Sequence, residues 1–256
     1  MDILNNVWGL PYYYKNIPIY PIKMLDCSNF YKYVNCLLLE KNKSQDIQII
    51  KMSYLYFLFY IGYYAKDENG NKFDYLLLNL DELMKLVFKQ DYKIDTNKNN
   101  IFFKLYDVNK KEVFLSEQDF DHIRNIIFKQ NLVKYSEDIL DPEIEQKIKE
   151  AEEFLANRNN DNATIEENIF SFAASMNKIP SEIAELTIYQ FNKILERKNL
   201  LKTWEVFSYP ALKSGEQDKI KHWLSHIPEK GLYDHITISM EEFNRMTSDS
   251  GIFSKT

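Results

Sequence analysis

Cysteine, glycine and arginine are scarce in this 256-residue chain, and each scarcity closes off a class of function. Two cysteines, Cys27 and Cys36, are too few for a disulfide framework and fit a reducing compartment. Six glycines, never clustered, supply neither G-x-x-x-x-G-K-[ST] nor G-x-G-x-x-G, so the sequence carries no phosphate-cradling loop. Four arginines stand against 28 lysines, and the formal charge is −6. That balance excludes broad nucleic-acid binding, which needs a cationic excess against phosphates. Lysine is also a poor bidentate reader of phosphate or carboxylate. The conspicuous apolar run, Ser53–Ala65, has 13 residues and is closed by Lys51 and Lys66. A membrane-spanning helix needs about 20, so the run reads as a helix buried on nearly every face. Asp2 stands where a secretory signal needs a basic residue and no apolar region follows it, so no signal peptide is expected.

What is present reads as an α+β fold, predominantly helical. Ile17–Met24 is a short extended segment, kept at an edge or in a turn by Pro18 and Pro21. Apolar residues at helical spacing predict helices over Asp26–Glu40, from about Asp46 through Tyr64, and over Leu76–Phe88. Residues 101–106 and 112–115 flank a polar loop as a β-hairpin. Ser116 with Asp119, a near relative of the capping box, opens a helix whose inward face is Phe120, Ile123, Ile127 and Phe128. Asp141-Pro142-Glu143 starts an acidic connecting helix, and Thr164-Ile165-Glu166-Glu167 caps a helix through Met176. Further helices are expected from Pro180 to about Lys198, from Leu201 to Tyr209, over Gly215–His226 and at Ser239. This divides the chain into an α+β domain (1–135, hairpin near 101–115), an acidic helix and linker (136–162) and an all-helical domain (163–256).

No constellation in the chain commits it to catalysis. His222 and His226 would share one helix face as half of a zinc site, but Trp223 occupies the place where a metalloprotease carries Glu. His235 is the remaining histidine in reach, and two surface histidines beside a packed Trp is the plainer reading. Cys27 and Cys36, nine apart, fall on opposite faces of one helix and read as small buried hydrophobes. The loops opening at Asp67 and Asp107 carry Lys72 and Glu112 at the sixth position and Leu78 and Gln118 at the twelfth, which excludes EF-hands. Tyr12–Tyr14 and the C-terminal aromatics Trp204, Phe207, Tyr209 and Trp223 lack the basic groove that single-stranded nucleic acid needs. Core packing or a protein interface is the better use for them.

The abundance of Lys, Asn, Ile, Tyr and Phe, all served by A/T-rich codons, points to a low-GC bacterium or its phage. Ile19-Tyr20-Pro21-Ile22-Lys23-Met24, Phe30, Leu37–Leu39, Ile50–Leu55 and Phe57-Leu58 resemble proteins of the tail modules of long-tailed phages and prophages of low-GC Gram-positive bacteria. Ile188-Tyr189-Gln190-Phe191, Leu195, Trp204-Glu205 and Trp223 are similar to the helical ending of tail assembly chaperones. The resemblance implies a non-enzymatic protein of the host bacterial cytoplasm, without cofactor or metal. Such a protein binds the tape measure protein, assists recruitment of tail tube subunits and self-associates, with no nucleic-acid or membrane partner. Many such chaperones are shorter and lack so developed an N-terminal α+β part.

The expected partner-binding neighbourhood is Tyr189, Phe191, Trp204, Phe207, Tyr209 and Trp223, holding a partner helix in an apolar groove. Two alternatives stand beside it. One is a structural tail or connector component of the virion. The other is a host-directed, defence-blocking protein whose acidic surface binds a host enzyme or mimics DNA, the helix around Asp138, Asp141, Glu143, Glu145, Glu150, Glu152 and Glu153 being the candidate mimic.

Overall fold

Tyr12–Tyr14 (β1) and Ile17–Ile19 (β2) pair as a tight antiparallel hairpin. Lys15 and Asn16 make its two-residue turn, both at positive φ (48° and 61°), the conformation that matches strand twist in such turns. In this computed structural model the described residues are 3–44, 46–66, 69–97, 100–135, 142–158, 163–215 and 220–227. The fold is α+β and predominantly helical, with two small antiparallel sheets. It divides into two compact units, one of Met1–Glu137 with Thr164–Leu224, the other of Asp138–Ala163 with Ser225–Thr256.

In the larger unit, helix α1 (Ile3–Trp8) precedes the hairpin, and a single 3-10 turn, Met24–Asp26, leads into α2 (Cys27–Tyr33). The stretch from β2 to Met24 is the hub of this unit rather than an edge. Ile17 and Ile19 are fully buried, and Ile22 and Met24 nearly so. Its backbone groups are taken up by three different helices. The Tyr20 amide donates to the Val87 carbonyl (2.9 Å) near the end of α5 (Tyr75–Phe88). Two side chains ending α6 (Glu117–Gln130) hold it from another side: Gln130 Nε2 donates to the Ile19 carbonyl (3.1 Å), and Asn131 Oδ1 accepts from the Ile22 amide (3.0 Å). On the third side Met24 N–H donates to Leu186 O (2.7 Å) and Ile188 N–H to Ile22 O (2.9 Å). A buried extended segment must pair its backbone somewhere, and here it does so with helix ends rather than a wide sheet.

The second sheet runs β3-β4-β5, from Lys93–Asn97 through Asn100–Tyr106 to Glu112–Leu115. Ile101, Phe103 and Leu105 alternate inward, and the Phe103 ring stacks on Phe120 of α6 (5.6 Å, 5°). The expected hairpin is therefore present with one more strand, β3, on its outer side. The capping boxes at Ser116 and Thr164 form as expected and open α6 and α8 (Ile165–Met176). The acidic helix α7 (Pro142–Arg158) belongs to the smaller unit.

Three expected helices are divided or extended. The Asp26–Glu40 helix stops at Tyr33 and tightens to 3-10 over Val34–Leu37, because side chains capture its last carbonyls. Tyr54 Oη donates to Cys36 O (3.0 Å), and Arg124 donates through Nε and Nη2 to Leu37 O (3.0 and 2.8 Å). The Asp46–Tyr64 helix becomes α3 (Ile47–Lys51) and α4 (Tyr54–Tyr64). Ser53 caps α4 by accepting from the Tyr56 amide, while Lys41 Nζ ties off the Ile50 and Met52 carbonyls (2.9 and 2.6 Å). The Pro180–Lys198 helix splits into α9 (Pro180–Ala184) and α10, which runs from Ile188 to Ser214 straight through Pro210. Residues 220–227 form turns, so His222 and His226 do not share a helix face. The helix expected at Ser239 lies outside the described residues.

Candidate interaction surface

Helix α10 starts at Thr187, whose Oγ1 accepts from the Gln190 amide (3.1 Å) while Gln190 Oε1 accepts from the Thr187 amide (2.9 Å). This reciprocal box, together with the Ile22–Met24 pairing, fixes where the helix leaves the core. Its first turns bury Ile188 and Phe191, and the Phe191 ring meets Phe172 of α8 at 5.0 Å. Further along, apolar side chains occur on every side of the helix. Here Val206, Phe207, Tyr209 and Leu212 are each more than half exposed, while Ala211 between them is buried.

The six residues singled out in the sequence thus have different fates. Phe191 is core and Tyr189 half-buried. Trp204 and Trp223 are half-buried and are linked through His222, whose ring lies edge-on to Trp204 (5.2 Å) and 6.0 Å from Trp223. Arg197 Nη1 donates to the Trp223 carbonyl (2.9 Å), holding the 220–224 turn against the helix. Phe207 and Tyr209 are exposed, and they project about 200° apart at 100° per residue. Tyr189 stands 15 residues before Trp204, about 22 Å along the axis, so it does not join the Trp204 group. Sequence reading did not single out Val206 and Leu212 at the exposed end of α10, nor the exposed Leu224 of the turn.

A second exposed apolar surface lies on α1. This short helix is inverted: it buries Asn6 and exposes Leu4, Val7 and Trp8 on one face. Gln190 Nε2 donates to its Val7 carbonyl (2.9 Å), which seats it beside the start of α10.

The polar clusters of the larger unit tie its elements together. Asp119, nearly buried, accepts from Tyr14 Oη (2.7 Å), Lys15 Nζ (2.8 Å) and the Ser116 amide and hydroxyl (2.8 and 2.9 Å). Burial works to raise its pKa, but these hydrogen bonds outweigh it and hold the carboxyl at about 2. Burial, then the Asp119 carboxylate, pushes the Tyr14 phenol up to about 12. A cavity of about 350 Å³ is lined by Lys41, Tyr54, Asp121, Arg124, Asn125 and Tyr135. The Arg124 guanidinium lies 3.7 Å from the Tyr54 ring centre and 4.4 Å from that of Tyr135, stacked between them as it grips Leu37 O. Burial raises the Cys36 thiol to about 12, so it stays protonated, and both cysteines are buried. Among the described residues no three His, Cys, Asp or Glu side chains come together as a metal site would require. Among the same residues no helix is long and apolar enough to cross a membrane.

Residues 157–228 match the family model described as YomV second domain, of a Bacillus phage-type protein family. The matched stretch takes in α8, α9, α10 and the turn carrying Trp223, and it associates this part of the chain with phage. No curated protein and no solved structure matches the chain.

Proposed function

We propose, from a chain whose C-terminal helices match a phage-associated domain family, that the protein is a non-catalytic tail assembly chaperone acting in the host cytoplasm. In this reading it holds an apolar helix of the tape measure protein against the exposed end of α10 and assists recruitment of tail tube subunits. The observation that carries the reading is the exposed Phe207, one turn beyond the half-buried Trp204 on the same side of α10. An exposed aromatic side chain beside a half-buried tryptophan is the usual anchor chemistry for a partner helix. The phage association of this same stretch supports it, as does the use of the polar clusters in tying elements of the fold together.

The test is co-expression of the full chain with the tape measure protein of the same genome. A soluble complex, formed from a tape measure that precipitates alone and lost in the F207D variant, is the expected result. A tape measure that stays insoluble, or a complex indifferent to F207D, overturns the reading. Mass spectrometry of purified virions adds a further arm: a chaperone is scarce there, and a stoichiometric presence makes the protein a tail component instead.

A further inference from the structure

Val206, Tyr209 and Leu212 follow one another at three-residue intervals, so they cross one side of α10 obliquely, about 60° per step with Tyr209 in the middle, and all three are exposed (61, 62 and 57%). Glu205 and Lys213 stand four residues to either side of Tyr209 on that same face, both exposed. Read in either direction from Tyr209, the strip has an apolar residue at the third position and a charge at the fourth. The two charges have opposite sign. We propose that this strip is a two-fold interface at which α10 pairs antiparallel with α10 of a second copy, with Tyr209 on the axis.

The pattern selects this occupant and this direction. In the antiparallel arrangement Glu205 comes level with Lys213 of the partner subunit, and Val206 with Leu212 of the partner subunit, to either side of the paired Tyr209 rings. Each contact occurs twice, as a two-fold interface requires. A parallel pair sets Glu205 against Glu205 and Lys213 against Lys213, placing like charges together at both ends. The strip thus supplies its own complement. Within one chain Glu205 pairs with Lys202 (2.6 Å) and the Lys213 ammonium lies 4.7 Å from the Tyr209 ring centre, so both charged groups already stand at the strip. One helix face is small beside the ~800 Å² per partner of a standard interface, so the dimer is weak and concentration-dependent. It is independent of tape measure binding, because Phe207 projects from the other side of the helix.

Sedimentation equilibrium of the full chain, from low micromolar to near-millimolar concentration, tests the proposal. The wild type is expected to pass from monomer to dimer. E205K and K213E each set like charges opposite one another in both symmetry-related pairs, and each is expected to weaken association by about tenfold or more. The double variant E205K/K213E restores opposite charges and is expected to recover the wild-type equilibrium, which a loss of fold in either single variant could not produce. Y209C is expected to cross-link between chains under mild oxidation, since both native cysteines are buried, and F207C is not. A wild type monomeric throughout, single variants that associate normally, a double variant without recovery, or equal cross-linking of F207C each overturns the proposal.

Discussion

Asp119 closes α6 onto the β1–β2 hairpin through four hydrogen bonds to three residues, and its removal leaves the Tyr14 hydroxyl and the Ser116 groups without their acceptor. Replacement by Ala is expected to cost about 1–3 kcal/mol, measured as a lower urea midpoint. The same carboxyl makes stability depend on acid. Its folded value is about 2 against an ordinary 3.8, so its contribution is complete above 3.8 and is lost as pH falls toward 2. D119N removes this part of the acid sensitivity, and its midpoint is expected to fall less steeply than wild type over that interval. Arg124 is the counterpart on the other side of α6. R124K keeps the charge but cannot present two donors to Leu37 O while stacked between Tyr54 and Tyr135. A loss of about 1–3 kcal/mol is expected by the same measurement.

At the level of elements, α4 and α5 approach so closely that a Cβ on Gly62 would sit 2.7 Å from Leu77 Cγ. G62A is therefore expected to destabilise by about 1–3 kcal/mol despite alanine's better helix propensity. P210A is expected to act in the opposite direction. Pro210 lies inside α10, where it offers no amide and crowds the preceding turn, so its replacement should raise the thermal midpoint, by up to about 3 kcal/mol of stability. Such elements were unevenly legible in the sequence. The boxes at Ser116 and Thr164 stand before clear apolar periods and could be read directly. Thr187 with Gln190 is an equally good box, but Ile183 and Leu186 carry the apolar period across it and hide the break. Strand β3 reads Lys-Ile-Asp-Thr-Asn and has no inward alternation of its own; pairing with β4 makes it a strand. The 3-10 turn at Val34–Leu37 depends on Tyr54 and Arg124, which local spacing cannot reveal. Of the candidate surface, the aromatic content of α10 was legible but its exposure was not. A helix whose apolar residues fall on every side among charged ones marks no buried face, and only the packed structure separates Phe191 from Phe207 and Tyr209.

Across the whole molecule, the larger unit joins residues before Glu137 to residues after Thr164. A chain cut after Glu137 lacks Phe172, Ile183, Ile188 and Phe191, and it leaves the Ile22 carbonyl and Met24 amide without partners. Such a fragment is expected to unfold with a shallower denaturant transition than the full chain and to bind a hydrophobic dye, and adding residues 164–224 in trans should reverse both. The position of the hub in the chain also sets a timetable. Ile22 and Met24 leave the ribosome well before their partners Leu186 and Ile188, which are translated more than 160 residues later. At elongation speeds of about 5–20 residues per second that is a wait of roughly 10–30 s. Through that interval the nascent hub carries an unpaired edge flanked by Ile17, Ile19 and Ile22, so the most vulnerable moment for this protein falls during its own synthesis.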